Sequence, residues 1–83
     1  MSEERSELGE LVALMARALV DDPNQVAVRE VEGGRTPRIE LTVAPDDIGK
    51  VIGKDGRTAQ SMRVLLNAAA NKVGQRAHLD IVD

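Results

Sequence analysis

Eighty-three residues suffice for one domain, spanning residues 1–83, around a small core. With no cysteine there can be no disulfide and no thiolate metal site, and the redox compartment stays open. A net charge of −3, taken alone, argues against nucleic acid, and the absence of Phe, Tyr and Trp disfavours base stacking on aromatic side chains of the RRM or OB kind.

The opening Met1-Ser2-Glu3-Glu4-Arg5 is acidic and polar, unlike a signal peptide. No apolar run approaches the roughly 20 residues that span a bilayer, so a soluble cytoplasmic protein with no membrane partner is expected. Leu8, Leu11, Val12, Met15, Ala16 and Leu19 recur at helical spacing and predict an amphipathic helix from about Glu4 to Val20. Ser2 or Ser6 can cap it, the early glutamates suit its positive end, and Asp21-Asp22-Pro23-Asn24 stops it. Val26 and Val28 alternate with polar residues as a half-buried strand does, and Val31 breaks the alternation at a bulge or strand end. Glu32-Gly33-Gly34-Arg35-Thr36-Pro37 reads as a hairpin turn into a second strand carrying Ile39, Leu41 and Val43. These two strands should pair antiparallel.

Ala44-Pro45-Asp46-Asp47 carries helix-start chemistry and opens a short helix from about Asp46 to Ile52. Gly49 inside it costs roughly 1 kcal/mol relative to Ala, and its missing side chain allows close packing or close ligand approach, packing being preferred. A third helix is predicted from about Arg57 to Val73. Its apolar face is Ala59, Met62, Leu65, Leu66, Ala69, Ala70 and Val73, and Gly74 follows as a C-terminal stop. Ala77, Leu79 and Ile81 alternate with His78 and Asp80 in a last strand, running to Val82. His78, the single histidine, faces away from the apolar set and reads as an ordinary exposed residue. The order is α-β-β-α-α-β. Two helices between the second and third strands permit a parallel, right-handed crossover, which makes an α+β fold: a three-stranded mixed sheet with three helices on one face.

The most informative stretch is Ile48-Gly49-Lys50-Val51-Ile52-Gly53-Lys54-Asp55-Gly56-Arg57-Thr58. Ile48, Val51 and Ile52 mark one helix face, and a tight Gly-x-x-Gly turn then leads into the next helix. Glycine takes positive φ cheaply and keeps no side chain between backbone and ligand. Free backbone N–H groups in the turn and at the helix start can meet an anion, and Lys54 and Arg57 add charge beside them. The outline is a phosphate clamp. From Gly49 to Arg76 the charges sum to +5, with Asp55 the lone acid, leaving −8 on the rest. A local basic face on an acidic body follows, with solvation of a helix surface as the plainer reading.

Val51-Ile52-Gly53-Lys54-Asp55-Gly56-Arg57, with a helix on each side, resembles the Ile-Gly-x-x-Gly core of KH domains. The element order resembles the type II, bacterial arrangement, and the likeness to small stand-alone bacterial RNA-binding KH proteins spans essentially the whole chain. The resemblance implies that about four single-stranded nucleotides lie in a narrow groove with the loop clamping their backbone. Gly53, Lys54, Asp55 and Gly56 would hold phosphates. Ile48, Val51 and Ile52 would lie beside the groove, some of them facing the core. The Glu32 to Arg38 turn would match the family's variable loop, with Arg35 and Arg38 as backbone contacts. It implies single-stranded RNA as ligand, a role as RNA chaperone or post-transcriptional regulator, and no cofactor or metal. It also implies pairing, either as a homodimer or with a larger KH-containing partner. The pattern does not fix the interface; the exposed end of the third helix with its neighbouring Gly-x-x-Gly loop is preferred to the Ala77 to Val82 edge strand, where Asp80 and Asp83 discourage pairing. Asp55 and Ala59 depart from the family pattern; the first should weaken phosphate binding and the second loosen the groove or core.

Two rival classes remain. A nucleotide enzyme lacks its motif: no Gly-x-x-x-x-Gly-Lys-Ser/Thr occurs, and Val51 stands where a dinucleotide fingerprint needs its first glycine. No Ser/His/Asp set, metal cluster or carboxylate pair remains, so no enzyme is expected. A protein-interaction or dimerisation module with an idle clamp is the other rival. RNA binding with a steep salt dependence separates it from the clamp.

Overall fold

The computed structural model describes residues 6–32 and 36–82. Ser6 begins the first helix, α1 (Glu7–Leu19): its Oγ accepts the Gly9 N–H at 3.1 Å. The Ser6 N–H and hydroxyl both donate to Glu30 Oε2 at 2.8 Å. The cap is therefore anchored to a strand, and the helix starts three residues later than its periodicity alone predicts. The alternative cap, Ser2, lies outside the described residues.

After a single 3-10 turn at Pro23–Gln25 come β1 (Ala27–Val31) and β2 (Arg38–Thr42). They pair antiparallel in even register, Ala27 with Thr42 through Val31 with Arg38, so Val31 is the strand end and there is no bulge. The turn residues 33–35, Arg35 among them, lie outside the described residues. A 3-10 turn at Pro45–Asp47 leads into α2 (Ile48–Ile52), and another at Lys54–Gly56 leads into α3 (Arg57–Lys72). The chain closes with β3 (His78–Ile81), parallel to β2, giving the strand order β1-β2-β3. The fold is α+β, a mixed three-stranded sheet with three helices, as the pattern predicts.

The central strand supplies Ile39 and Leu41, followed by Val43. Against them pack Leu8, Val12 and Ala16 of α1, Val51 of α2, Met62, Leu66 and Ala70 of α3, and Leu79 of β3. The alanines let the helices approach closely where aromatic side chains are absent. Two members of the predicted α3 face are not in this core: Leu65 is 55 % exposed and Val73 53 % exposed. Leu65 sits on the flank of the helix toward α1, and Val73 is already the C-cap. Beyond it Gly74, at φ 71°, donates to the Asn71 carbonyl while the Gln75 N–H donates to the Ala70 carbonyl at 2.8 Å. That paired closure satisfies the last helical carbonyls and ends α3 where the glycine predicts.

Candidate nucleic-acid interface

The loop between α2 and α3 is built from backbone conformations that few residues accept. Gly53 closes α2, its N–H donating to the Gly49 carbonyl at 2.8 Å, and has φ 79°, ψ 171°. That region belongs essentially to glycine. Space forbids a side chain as well, because a Cβ there would lie 2.7 Å from Thr58 Cβ and 2.8 Å from the Thr58 nitrogen. Asp55 (φ 58°, ψ 23°) and Gly56 (φ 75°, ψ 12°) are both left-handed. Aspartate is one of the few side chains that tolerates this conformation, which gives a backbone reason for an acid at this place in the loop. A Cβ on Gly56 would meet nothing within 4 Å, so its surroundings are open.

Gly56 is also the residue from which α3 starts, and no side chain caps that helix. Its first turn therefore presents the positive end of the dipole beside the loop. Lys54 and Arg57 are exposed, and neither forms an ion pair among the described residues.

Other residues singled out by the sequence differ in exposure and pairing. Gly49 is exposed with open space over it, so the packing expectation is corrected: no neighbour uses the missing side chain. Gly49 and the 38 % exposed Ile52 share the surface that leads into the loop. Thr58 lies over Gly53, half-buried, as is Ile48. Val51 is fully buried in the core and cannot touch a ligand; it supports the surface from beneath. Lys50 and Arg38 are held elsewhere. Lys50 Nζ pairs with Asp21 Oδ2 at 3.3 Å and lies 3.8 Å from Asp47 Oδ1. Arg38 Nε pairs with Asp80 Oδ2 at 3.2 Å. With Glu40 it lies on the sheet face opposite the buried Ile39 and Leu41, at the end of β2 away from α2. The structure thus gathers Gly49, Ile52, Gly53, Lys54, Asp55, Gly56 and Arg57 about the loop, buries Val51 beneath them, and holds Lys50 and Arg38 in surface ion pairs.

Asp47 was legible only as helix-start chemistry. It makes no cap to α2; instead it is 2 % exposed, and its Oδ2 accepts the Asp22 N–H at 3.0 Å. This carboxylate pins the exit of α1 to the entrance of α2 and so positions the loop. Its partner is 25 residues away, and no local spacing signals it.

A Gly-x-x-Gly turn joining two helices, set in an α-β-β-α-α-β order on a mixed sheet, defines a type II KH domain. The family model described as "KhpA/KhpB, KH domain" matches residues 9–81, and the chain belongs to that family. It is 52 % identical over 75 residues to "RNA-binding protein KhpA" of Caldanaerobacter subterraneus subsp. tengcongensis, covering 90 % of this chain and 100 % of that protein. It is 53 % identical over 73 residues to "RNA-binding protein KhpA" of Halalkalibacterium halodurans, covering 88 % of this chain and 96 % of the relative. Among solved structures it is similar to Era in complex with MgGDPNP and nucleotides 1506–1542 of 16S ribosomal RNA. That match has a TM-score of 0.68 at 20 % identity, over 89 % of this chain and 28 % of the Era chain. At that identity the likeness bears on the fold. Among the described residues no helix is long and apolar enough to cross a membrane, and no cluster of His, Cys, Asp or Glu could hold a metal ion.

Proposed function

We propose that this chain is a cytoplasmic single-stranded RNA-binding protein, acting as an RNA chaperone or post-transcriptional regulator and not as an enzyme. The observation that carries the reading is the Gly53–Gly56 loop: two exposed, unpaired cations, Lys54 and Arg57, flank left-handed backbone at the uncapped start of α3. The relatives named RNA-binding protein KhpA support it. Backbone N–H groups and these cations meet phosphates, while Gly49 leaves room for the strand to lie close and exposed Ile52 offers it an apolar contact. Binding measured against salt tests this. Affinity for short single-stranded RNA should fall steeply as salt rises, and affinity that ignores salt would refute it.

A second reading concerns assembly. Leu65 and the 63 % exposed Val64 on α3, with Leu19 on α1, form an apolar surface. Between the helices lies a groove of about 280 Å³ lined by Met15, Leu19, Met62 and Leu65, among others, and carrying no charged side chain. This surface suits a second copy of the chain, or a KhpB-like KH protein, as partner. Pairing there would place two clamps on one RNA and raise the effective concentration of the second.

A further inference from the structure

One flank of α3 carries Gln60, Arg63, Asn67 and Asn71, three or four residues apart, so the side chains form one row along the helix. Arg63 shows which way the row faces. Its Nε–H donates to the Leu79 carbonyl of β3 at 3.2 Å, fixing the guanidinium beside the sheet edge. At the C-terminal end of the row, Asn67 and Asn71 line a pocket of about 420 Å³ together with Thr36, Gln75, Arg76 and His78. No carboxylate lines it. Its three carboxamides are engaged by no other group among the described residues. A carboxamide offers a donor and an acceptor side by side, which is the pattern that reads a nucleobase edge, and it adds no charge.

We propose that the pocket at the C-terminal end of α3 is a nucleobase-reading subsite. It takes an unstacked base of a strand whose backbone is held at the Gly53–Gly56 loop. Asn67 and Asn71 bond to the edge of that base, and Arg76 meets the adjoining phosphate. This rests on the RNA-binding reading and adds the source of its selectivity. Clamp and reader then stand at opposite ends of α3, about 24 Å apart for its 16 residues.

The test uses the full chain and short fluorescein-labelled homopolymers of U, C and A, followed by anisotropy over a range of salt. The wild-type protein should prefer one of the three. In an Asn67→Ala/Asn71→Ala double variant, affinity for that preferred homopolymer should fall about tenfold, toward that of the others, with an unchanged salt slope. Both asparagines are exposed on a helix and alanine is the better helix former, so the melting temperature should hold. Lys54→Asp is the contrasting variant: it should lower all three affinities together and make the slope shallower. Equal binding of all three by the wild type, or a preference that survives the double substitution, overturns the subsite and leaves the clamp standing. Failure of the wild type to bind any of them at low salt overturns both.

Discussion

Gly53 and Gly56 share a motif but answer to different constraints. Gly53 is fixed by its backbone angles and by Thr58 pressed against it; Gly56 is fixed by its left-handed φ alone. Gly53→Ala should cost about 1–3 kcal/mol from conformation, with more from displacing Thr58, so the melting temperature and RNA binding should fall together. Gly56→Asn should keep the melting temperature close to wild type, because asparagine tolerates the left-handed region. The same change puts a side chain into the open space above the loop, so RNA affinity should drop while stability does not. Calorimetry beside an RNA titration distinguishes these outcomes. The lysines divide similarly. Lys54→Asp should weaken binding at every RNA sequence and flatten the salt dependence, whereas Lys50→Ala should change affinity far less, since its ammonium already serves Asp21 and Asp47. Equal losses in the two variants would contradict the assignment of charge to the loop.

At the scale of elements, what was legible in the sequence was what depends on neighbours in the chain. The period of α1, the alternation in β2 and the glycine that ends α3 all act within one or two turns, so each was readable. Leu65 was misread because a single period cannot tell whether a flank of the helix will be covered by another element. The pairing of Arg38 with Asp80 and of Lys50 with Asp21 was not legible, because counting cations does not reveal which acids the fold will bring to them. The tethers made by Glu30 and Asp47 were hidden for the same reason: their partners Ser6 and Asp22 lie 24 and 25 residues away. Asp47 is the more consequential, since it joins the exit of α1 to the helix that carries the loop. Asp47→Ala should leave the Asp22 N–H without its acceptor and destabilise the fold by about 1–3 kcal/mol. Chemical denaturation should show a lower midpoint with an unchanged slope. A midpoint equal to wild type would remove Asp47 from its tethering role.

Taken whole, the molecule sets its candidate clamp beside an exposed apolar surface: Arg57 lines one depression together with Val64 and Leu65. Lys54 and Arg57 stand at the start of α3 without an ion pair among the described residues, while Leu19 and Leu65 line the groove where α1 meets α3 and Val64 lies exposed beside Leu65. On the proposed pairing through this flank, the wild-type chain should self-associate and Leu65→Asp should abolish it, seen in sedimentation velocity as a single species of monomer mass, without lowering the melting temperature of so exposed a site. Weaker RNA binding should follow from the loss of the second clamp, and a dimer that survived the charge would move the interface elsewhere. The strand order carries a further consequence, for the path to the native state. β1 and β2 meet across a short turn, but β2 and β3 join residues forty apart, Arg38 with His78. The whole α2–loop–α3 segment lies inside that long closure. Long-range pairing is slow because chain entropy is lost before contacts compensate, so the hairpin should form early and β3 should dock late. Leu79→Ala should therefore raise the unfolding rate more than it slows refolding, and stopped-flow chevrons would show the opposite partition if β3 belonged to the nucleus. On this order of events a chain still in the act of folding has its cations but not yet the fixed backbone between them, so a well-formed grip on a nucleic acid is a property of finished molecules.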